Sequence, residues 1–185
     1  EKYEAKEIRI PKINKLIKQL HDEGIYVIAR LTVFQDPILA KARPDLAIHS
    51  KSKLTTNNQQ LTTQTLWLDY KKLAWMDPAS KEVWDYNIAI AKDVANRGFD
   101  ELNFDYIRFA SDGNLKDMVF PFWRNTQISA DGTQIIADKN EMIKSFFKYL
   151  RESLPNVKIS ADLFGLVTVN NDDMGIGQIL EDAYQ

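Results

Sequence analysis

The chain has 185 residues, with 24 Lys and Arg against 26 Asp and Glu, two His and no Cys, for a formal net charge of −2 at neutral pH. That length suits a single domain, 1–185, with a sizeable core. A composition of 44% hydrophobic and 27% charged residues excludes a disordered chain, and the near-neutral charge offers no field to attract nucleic acid. Without Cys there can be no disulfide, thiolate metal site or cysteine nucleophile. No run reaches the roughly 18–20 apolar residues that cross a bilayer, and Glu1-Lys2-Tyr3-Glu4 is not a signal peptide.

Residues 11–23 carry a helical stripe of Ile13, Leu16, Ile17 and Leu20, with Pro11 in the first turn and Gly24 as the stop. The β-branched run from Ile25 to Phe34 predicts a strand buried on both faces, as in a parallel sheet. A long irregular segment follows over 35–76, with a polar tract from Ser50 to Thr65. A connection of that length is expected to be functional or mobile. Asp77-Pro78 has the pattern of a helix N-cap with Pro at the first position. Val83, Trp84, Ile88, Ile90, Ala91, Val94 and Ala95 then form an apolar face that ends at Gly98.

A second strand is predicted from Glu101 to Phe109. Asp138 and Glu141 have capping-box spacing and introduce a helix with Met142, Phe146, Phe147, Leu150 and Leu154 inward. The third strand runs from Val157 to Gly165, and Asn171-Asp172-Asp173 precede a last helical start near Ile176. This alternation is that of βα units on a parallel sheet. No strand–helix turn carries the Gly-rich phosphate signature of a doubly wound sheet, whereas ionisable residues gather at the strand ends, as in a (β/α)8 TIM barrel. A full barrel takes about 250 residues, so the chain is expected to be an incomplete barrel of three to four βα units. The missing strands would belong to the full-length protein.

Strand alternation assigns the inward face. Asn103 and Asp105 oppose Leu102 and Phe104; Ser160, Asp162 and Phe164 oppose Ile159, Ala161 and Leu163; Tyr26, Ile28, Arg30 and Thr32 oppose Val27, Ala29 and Leu31. Arg30, Asp105 and Asp162 thus converge near three C-terminal strand ends. Inward carboxylates must be paired, metal-bound or used. Two carboxylates across a cleft suit glycoside hydrolysis, with retention or inversion set by their spacing. The same trio would also serve as a polar cluster that only stabilises the barrel. Tyr106 and Arg108 follow as candidate substrate contacts, and Asp36 sits directly after the first strand. Trp75 and Trp123 are candidate sugar-stacking platforms or, equally, loop anchors, while Trp84 belongs to a helical core stripe. Asp172-Asp173 suit a helix cap better than a metal. His21 and His49 lack partners at zinc spacing, and no nucleophile elbow supports a Ser–His–Asp triad. No metal or other cofactor is expected.

Several ordered blocks carry a resemblance: Gly24 to Arg30, Ala42 to Ala47, Leu73 to Pro78, Val83 to Asn87, Gly98 to Phe109 with Ser111-Asp112-Gly113, Ser160 to Gly165 and Gly175 to Gln178. From about residue 11 onward the chain resembles a bacterial family named the putative glycosyl hydrolase domain (domain of unknown function 4015). The resemblance implies a glycosidase-type (β/α)8 barrel, exported or envelope-associated, of which this chain would supply the third, fourth and fifth strands. It favours Asp105 as nucleophile or base, with Asp162 assisting or binding substrate. A more distant likeness to chitinase-type barrels fails at Ile107, where their acid Glu would stand. The chain departs from its own family at Ala110, where Pro is usual, and in the polar tract near 50–65.

The expected function is hydrolysis of a polysaccharide, with a carbohydrate as the only partner and the general acid in the missing strands. A noncatalytic carbohydrate-binding barrel of the envelope and a purely structural envelope domain are the competing readings. With its strand edges open, the isolated chain is expected to self-associate and to be inactive.

Overall fold

A computed structural model describes residues 10–54, 60–123, 127–128, 134–135 and 139–163. Helix α1 spans Ile13–Asp22 and buries Ile17, while Leu16 of the same stripe stays exposed. The predicted stop is realised in full. Gly24 adopts φ +71°, its N–H meets the His21 carbonyl, and Ile25 N–H reaches back to Leu20. This pair of bonds satisfies the orphan carbonyls of the last turn and needs the left-handed residue that glycine supplies most cheaply.

Strand β1 follows at Ile28–Thr32. Its alternation is as predicted, with Ala29 buried and Ile28, Arg30 and Thr32 on the other face. Burial on both faces is not observed. Ile25, Tyr26 and Ile28 are about half exposed, because the described helices pack against one side of the sheet only.

The described residues of the excursion, 35–54 and 60–76, are folded rather than irregular. Helix α2 (Pro37–Ala42) is capped by Asp36, whose Oδ1 accepts from Ile38 N and Leu39 N at 3.0 and 2.9 Å. Short strand β2 (His49–Ser50) follows. Isolated bridges join Ala47 to Met76, His49 to Leu66 and Leu68 to Ala74. Leu39, Leu46, Ile48, Leu66, Trp67 and Met76 are all buried in the main core. His49 is buried too, its ring nitrogens on Thr65 Oγ1 and the Pro44 carbonyl. The segment escapes periodicity analysis because it is held by tertiary contacts and single bridges, neither of which has a sequence period.

Helix α3 covers Lys81–Asn96 and buries Val83, Ile88 and Ala91. Its N-cap is Ser80, whose Oγ accepts from Val83 N, and not Asp77. Asp77 instead accepts from Ala79 N through Oδ1, so its carboxylate closes a local turn ahead of the helix. Strand β3 (Glu101–Asp105) ends four residues earlier than predicted, because Tyr106 takes φ +53° and breaks the extended run. Beyond it, β4 (Met118–Val119) pairs antiparallel with β2, and β5 (Gln127–Ile128) with β6 (Gln134–Ile135). Helix α4 (Lys139–Ser153) buries Ile143, Phe146 and Leu150. Strand β7 occupies Ile159–Ala161. The predicted cap at Asp138, the inward Phe164 and the acidic pair Asp172-Asp173 lie outside the described residues.

The central sheet is parallel with strand order β1-β3-β7. Arg30 lies opposite Asn103 and Thr32 opposite Asp105, while Asn103 faces Ser160 on the other side. The ladder continues past the strands through Val33 N to Asp105 O and Asp162 N to Phe104 O, both 2.9 Å. Strands consecutive among these three are neighbours, and Leu102 and Phe104 pack into the cluster that holds Ile88, Ala91 and Phe146. The fold is therefore mixed α/β with a parallel sheet, apolar on its helix side and charged on the other.

Gly113 shows how tightly the loop after β3 sits on this core. Its φ is +98°, and a Cβ there would lie 2.7 Å from Trp67 Cζ2 and 3.2 Å from the Asp69 Cα. Trp67 cannot easily yield, since its Nε1 donates to Asn114 O at 2.9 Å. Gly113→Ala is expected to cost more than about 1 kcal/mol, a fall in Tm of at least about 2–4 °C for a domain of this size. A thermal melt with unchanged Tm would refute the close approach.

Candidate active site

The predicted alternation brings Arg30, Asn103, Asp105, Ser160 and Asp162 to one face of three adjacent strands. Arg30 Nη2 donates to Asp105 Oδ2, and Arg30 Nε to Asp162 Oδ2 at 3.4 Å. One guanidinium thus bridges both carboxylates, by charge-assisted bonds of the stronger kind. The Asp105 carboxylate raises the Arg30 guanidinium further above its ordinary range, with burial working in the opposite direction. Side-chain exposure grades the trio: Asp105 is 14% exposed, Asp162 50% and Arg30 60%. The site is neither sealed nor open, but a shelf on which Asp105 is the recessed member.

Asp105 is oriented at both oxygens. While Oδ2 meets Arg30, Oδ1 accepts from Tyr106 N at 2.7 Å. The residue that supplies this second bond is itself left-handed. A bulky residue at φ +53° costs on the order of 1–3 kcal/mol, and it sits directly after the best candidate for catalysis. Asp162 is held by Arg30 at one oxygen and by Asn103 Nδ2 at the other, 3.2 Å away. Asn103 Nδ2 also reaches Ser160 Oγ at 3.2 Å, and Asn103 Oδ1 is buried without a partner among the described residues.

Behind this shelf the aromatic residues are supports. Trp75 is 1% exposed, so it offers no free face to a sugar as expected of a stacking platform. Its indole lies edge-on to Tyr106 with centroids 5.7 Å apart. The Arg108 guanidinium stands 5.2 Å from the Trp75 ring and 5.5 Å from the Tyr106 ring, a cation–π contact with both members of the edge-on pair that braces the strained turn. Arg108 Nη1 also donates to Phe109 O and Ser111 Oγ, both 2.9 Å. Trp123 packs edge-on against Phe109 and Phe120. Asp36, a candidate substrate contact, spends Oδ1 on its helix cap, and burial pushes its carboxyl up against those two bonds.

Two buried carboxylates that sequence reasoning did not single out for this role organise the loops. Asp69 accepts from Gln35 Nε2, Trp75 Nε1 and Leu73 N. Asp77 accepts from Phe122 N and Trp123 N at 2.6 and 3.0 Å, besides Ala79 N. Neither has a local signature, since the donors lie up to 46 residues away. Glu101 was also missed, although its parity with Asn103 and Asp105 places it on the same face. Its oxygens accept from Ser160 Oγ and Tyr26 OH.

Among the described residues no group of three His, Asp or Glu could hold a metal ion, and no helix is long and apolar enough to cross a membrane. His21 pairs with Asp100 at 2.9 Å, just before the N-terminal end of β3 and away from the shelf.

These features can be set beside known proteins. A family model described as "Putative glycosyl hydrolase domain" matches residues 1–184. A crystal structure of a hypothetical protein from Ruminiclostridium thermocellum is 36% identical, with a TM-score of 0.63 over 88% of this chain and 78% of that one. An α-galactosidase from Thermus thermophilus, in complexes with stachyose and with p-nitrophenyl α-D-galactopyranoside, shares the fold at 15% and 14% identity, with TM-scores of 0.51 and 0.52. Those alignments cover 83% and 84% of this chain but only 28% and 27% of the enzyme's. No curated protein sequence matches the chain. A match along nearly the whole length and a relative of this identity settle the assignment: the chain belongs to the putative glycosyl hydrolase domain family.

Proposed function

We propose that the chain is part of a (β/α)8 barrel whose charged sheet face is the active site of a glycoside hydrolase acting on a polysaccharide. Two features support the barrel. The three parallel strands follow one another in space in chain order, and their described helical cover lies on one face. A doubly wound sheet reverses its order and covers both faces. Barrel enzymes place their chemistry at the C-terminal strand ends, where Asp105 and Asp162 stand.

The observation that carries the catalytic reading is the bridging of Asp105 and Asp162 by Arg30. A guanidinium spans two carboxylates only when both lie within its reach, the scale of the about 5–9.5 Å separations found in glycosidases. Asp105 acts as nucleophile on the anomeric carbon, or as base on a water that attacks it. Asp162, with Arg30, positions the sugar or the water. A general acid outside this trio protonates the leaving glycosidic oxygen. An extracytoplasmic or envelope setting belongs to the same proposal and rests on family resemblance.

The test is release of new reducing ends from a panel of soluble polysaccharides by the complete protein. Cleavage of one of them supports the reading. Binding seen by calorimetry without any new reducing ends would transfer the site to the alternative, a noncatalytic carbohydrate-binding barrel. That alternative draws its support from Asp105 itself, which is recessed and already paired to Arg30.

A further inference from the structure

Below the shelf, the same face of the sheet carries a polar chain that reaches Asp162 from the opposite end of β3. Glu101 Oε2 accepts from Tyr26 OH at 2.9 Å, and Glu101 Oε1 accepts from Ser160 Oγ. Ser160 Oγ in turn accepts from Asn103 Nδ2, which also donates to Asp162 Oδ1. Lys158 stands 5.4 Å from the Tyr26 ring. The hydrogen bonds from Ser160 and Tyr26 lower the Glu101 carboxyl below its ordinary range, with Lys158 adding to them. An ionised carboxylate can only accept.

That restriction, together with the acceptor-only carboxylate of Asp162 at the other end, fixes the direction of the bonds between them. With Glu101 acting only as an acceptor, the Ser160 proton is committed to it, and the Ser160 oxygen is left to accept. Asn103 must then turn its NH2 toward Ser160 and Asp162. The cost is visible: Asn103 Oδ1 is buried with no partner among the described residues. Such an orphaned acceptor is uncommon in folded proteins. If Ser160 were free to donate to Asn103, the amide could turn over, and its carbonyl would confront the Asp162 carboxylate.

We propose that Glu101 is a positioning residue of this site. Through Ser160 it polarises the Asn103 amide so that an N–H, and not the carbonyl, holds Asp162 Oδ1. The proposal rests on the glycoside hydrolase reading for its functional meaning and on hydrogen-bond polarity for its mechanism. Glu101→Gln keeps the shape but replaces an acceptor-only carboxylate with an amide that can present either its oxygen or its NH2 to Ser160, so the polarity is no longer imposed.

The test uses the complete protein labelled with 15N-asparagine, with the Asn103 side-chain amide identified by its loss in Asn103→Asp. Wild type is compared with Glu101→Gln, Ser160→Ala and the double variant. Glu101→Gln is expected to shift the Asn103 amide resonances and to speed their exchange with water. Added to Ser160→Ala it should change nothing further, because the route is already cut. In parallel, hydrolysis of a panel of p-nitrophenyl glycosides should show kcat reduced at least about tenfold with KM nearly unchanged. Unmoved Asn103 resonances in Glu101→Gln, or full additivity with Ser160→Ala, would overturn the proposal. Should wild type hydrolyse none of the glycosides, that arm counts against the enzyme reading, and the amide resonances still decide the polarity on their own. A variant that merely loses stability would lower Tm without this pattern of non-additivity.

Discussion

Asp105→Asn in the complete protein is expected to abolish polysaccharide cleavage, with turnover down by at least about 10³-fold, while the fold persists. The loss is large because a carboxamide is neither a nucleophile nor a base, and carboxylate groups in those roles contribute on the order of 10²–10⁴-fold or more. The fold persists because Asn can keep the bond that Oδ1 accepts from Tyr106 N, and because Arg30 is more than half exposed. Water can therefore solvate the guanidinium that loses its partner, and Asp162 remains beside it. The measurement is reducing-end release together with a thermal melt. Retained activity would remove Asp105 from the mechanism. Lost activity with a collapsed Tm would make the Arg30–Asp105 pair a structural device, as the competing structural reading requires. Asp162→Asn should cost less, since Asp162 is the more exposed and more loosely paired carboxylate.

The second large effect lies away from the chemistry. Asp77 is fully buried, and its two oxygens accept from Ala79 N, Phe122 N and Trp123 N, tying the start of α3 to the segment after β4. In Asp77→Asn the single carbonyl oxygen can serve one side of this junction, while the NH2 group faces backbone donors on the other. Unmet buried N–H groups of this kind cost about 1–3 kcal/mol, a fall in Tm of about 2–12 °C. The pH dependence has a definite sign. Burial raises the Asp77 carboxyl above its ordinary 3.8, although the three N–H bonds offset part of the rise. A folded-state value above the unfolded one means that the associated stability is whole below the unfolded value and is lost as pH rises through the folded one. The wild-type advantage over Asp77→Asn should therefore be widest at and below the ordinary carboxylate range and narrow as pH rises above it. Melts of both proteins from that range up to neutral pH decide it. A gap that widened toward neutral pH would mean that the backbone bonds outweigh burial.

Much of the charged sheet face was legible from alternation alone. In Leu102-Asn103-Phe104-Asp105 apolar and polar residues alternate strictly, so the period of two leaves one register, and the parallel pairing of β1, β3 and β7 then aligns Arg30, Asn103 and Ser160. The two-sided burial expected of the first strand failed for the converse reason. Ile25 to Leu31 is apolar on both parities, and nothing local states which face a helix will cover. Trp75 stayed open between sugar platform and loop anchor because a tryptophan near a strand end has the same sequence signature whether it faces a cleft or, as here, braces Tyr106 and Arg108 from within.

What the sequence determined by itself is therefore what short-range physics controls: Gly24 as a helix stop, the shared sheet face of Asn103, Asp105 and Asp162, and the ordered motifs that mark the family. The tertiary structure alone decided the rest. Asp77 and Asp69 find their donors across long stretches of chain, and α2 and the bridges over 35–76 form against a core assembled from elsewhere. Tyr106 holds a left-handed conformation that its own preferences oppose, because Trp75 and Arg108 support its ring while its N–H meets Asp105. Local patterns set which way a side chain points, and only the packed chain sets what it meets there.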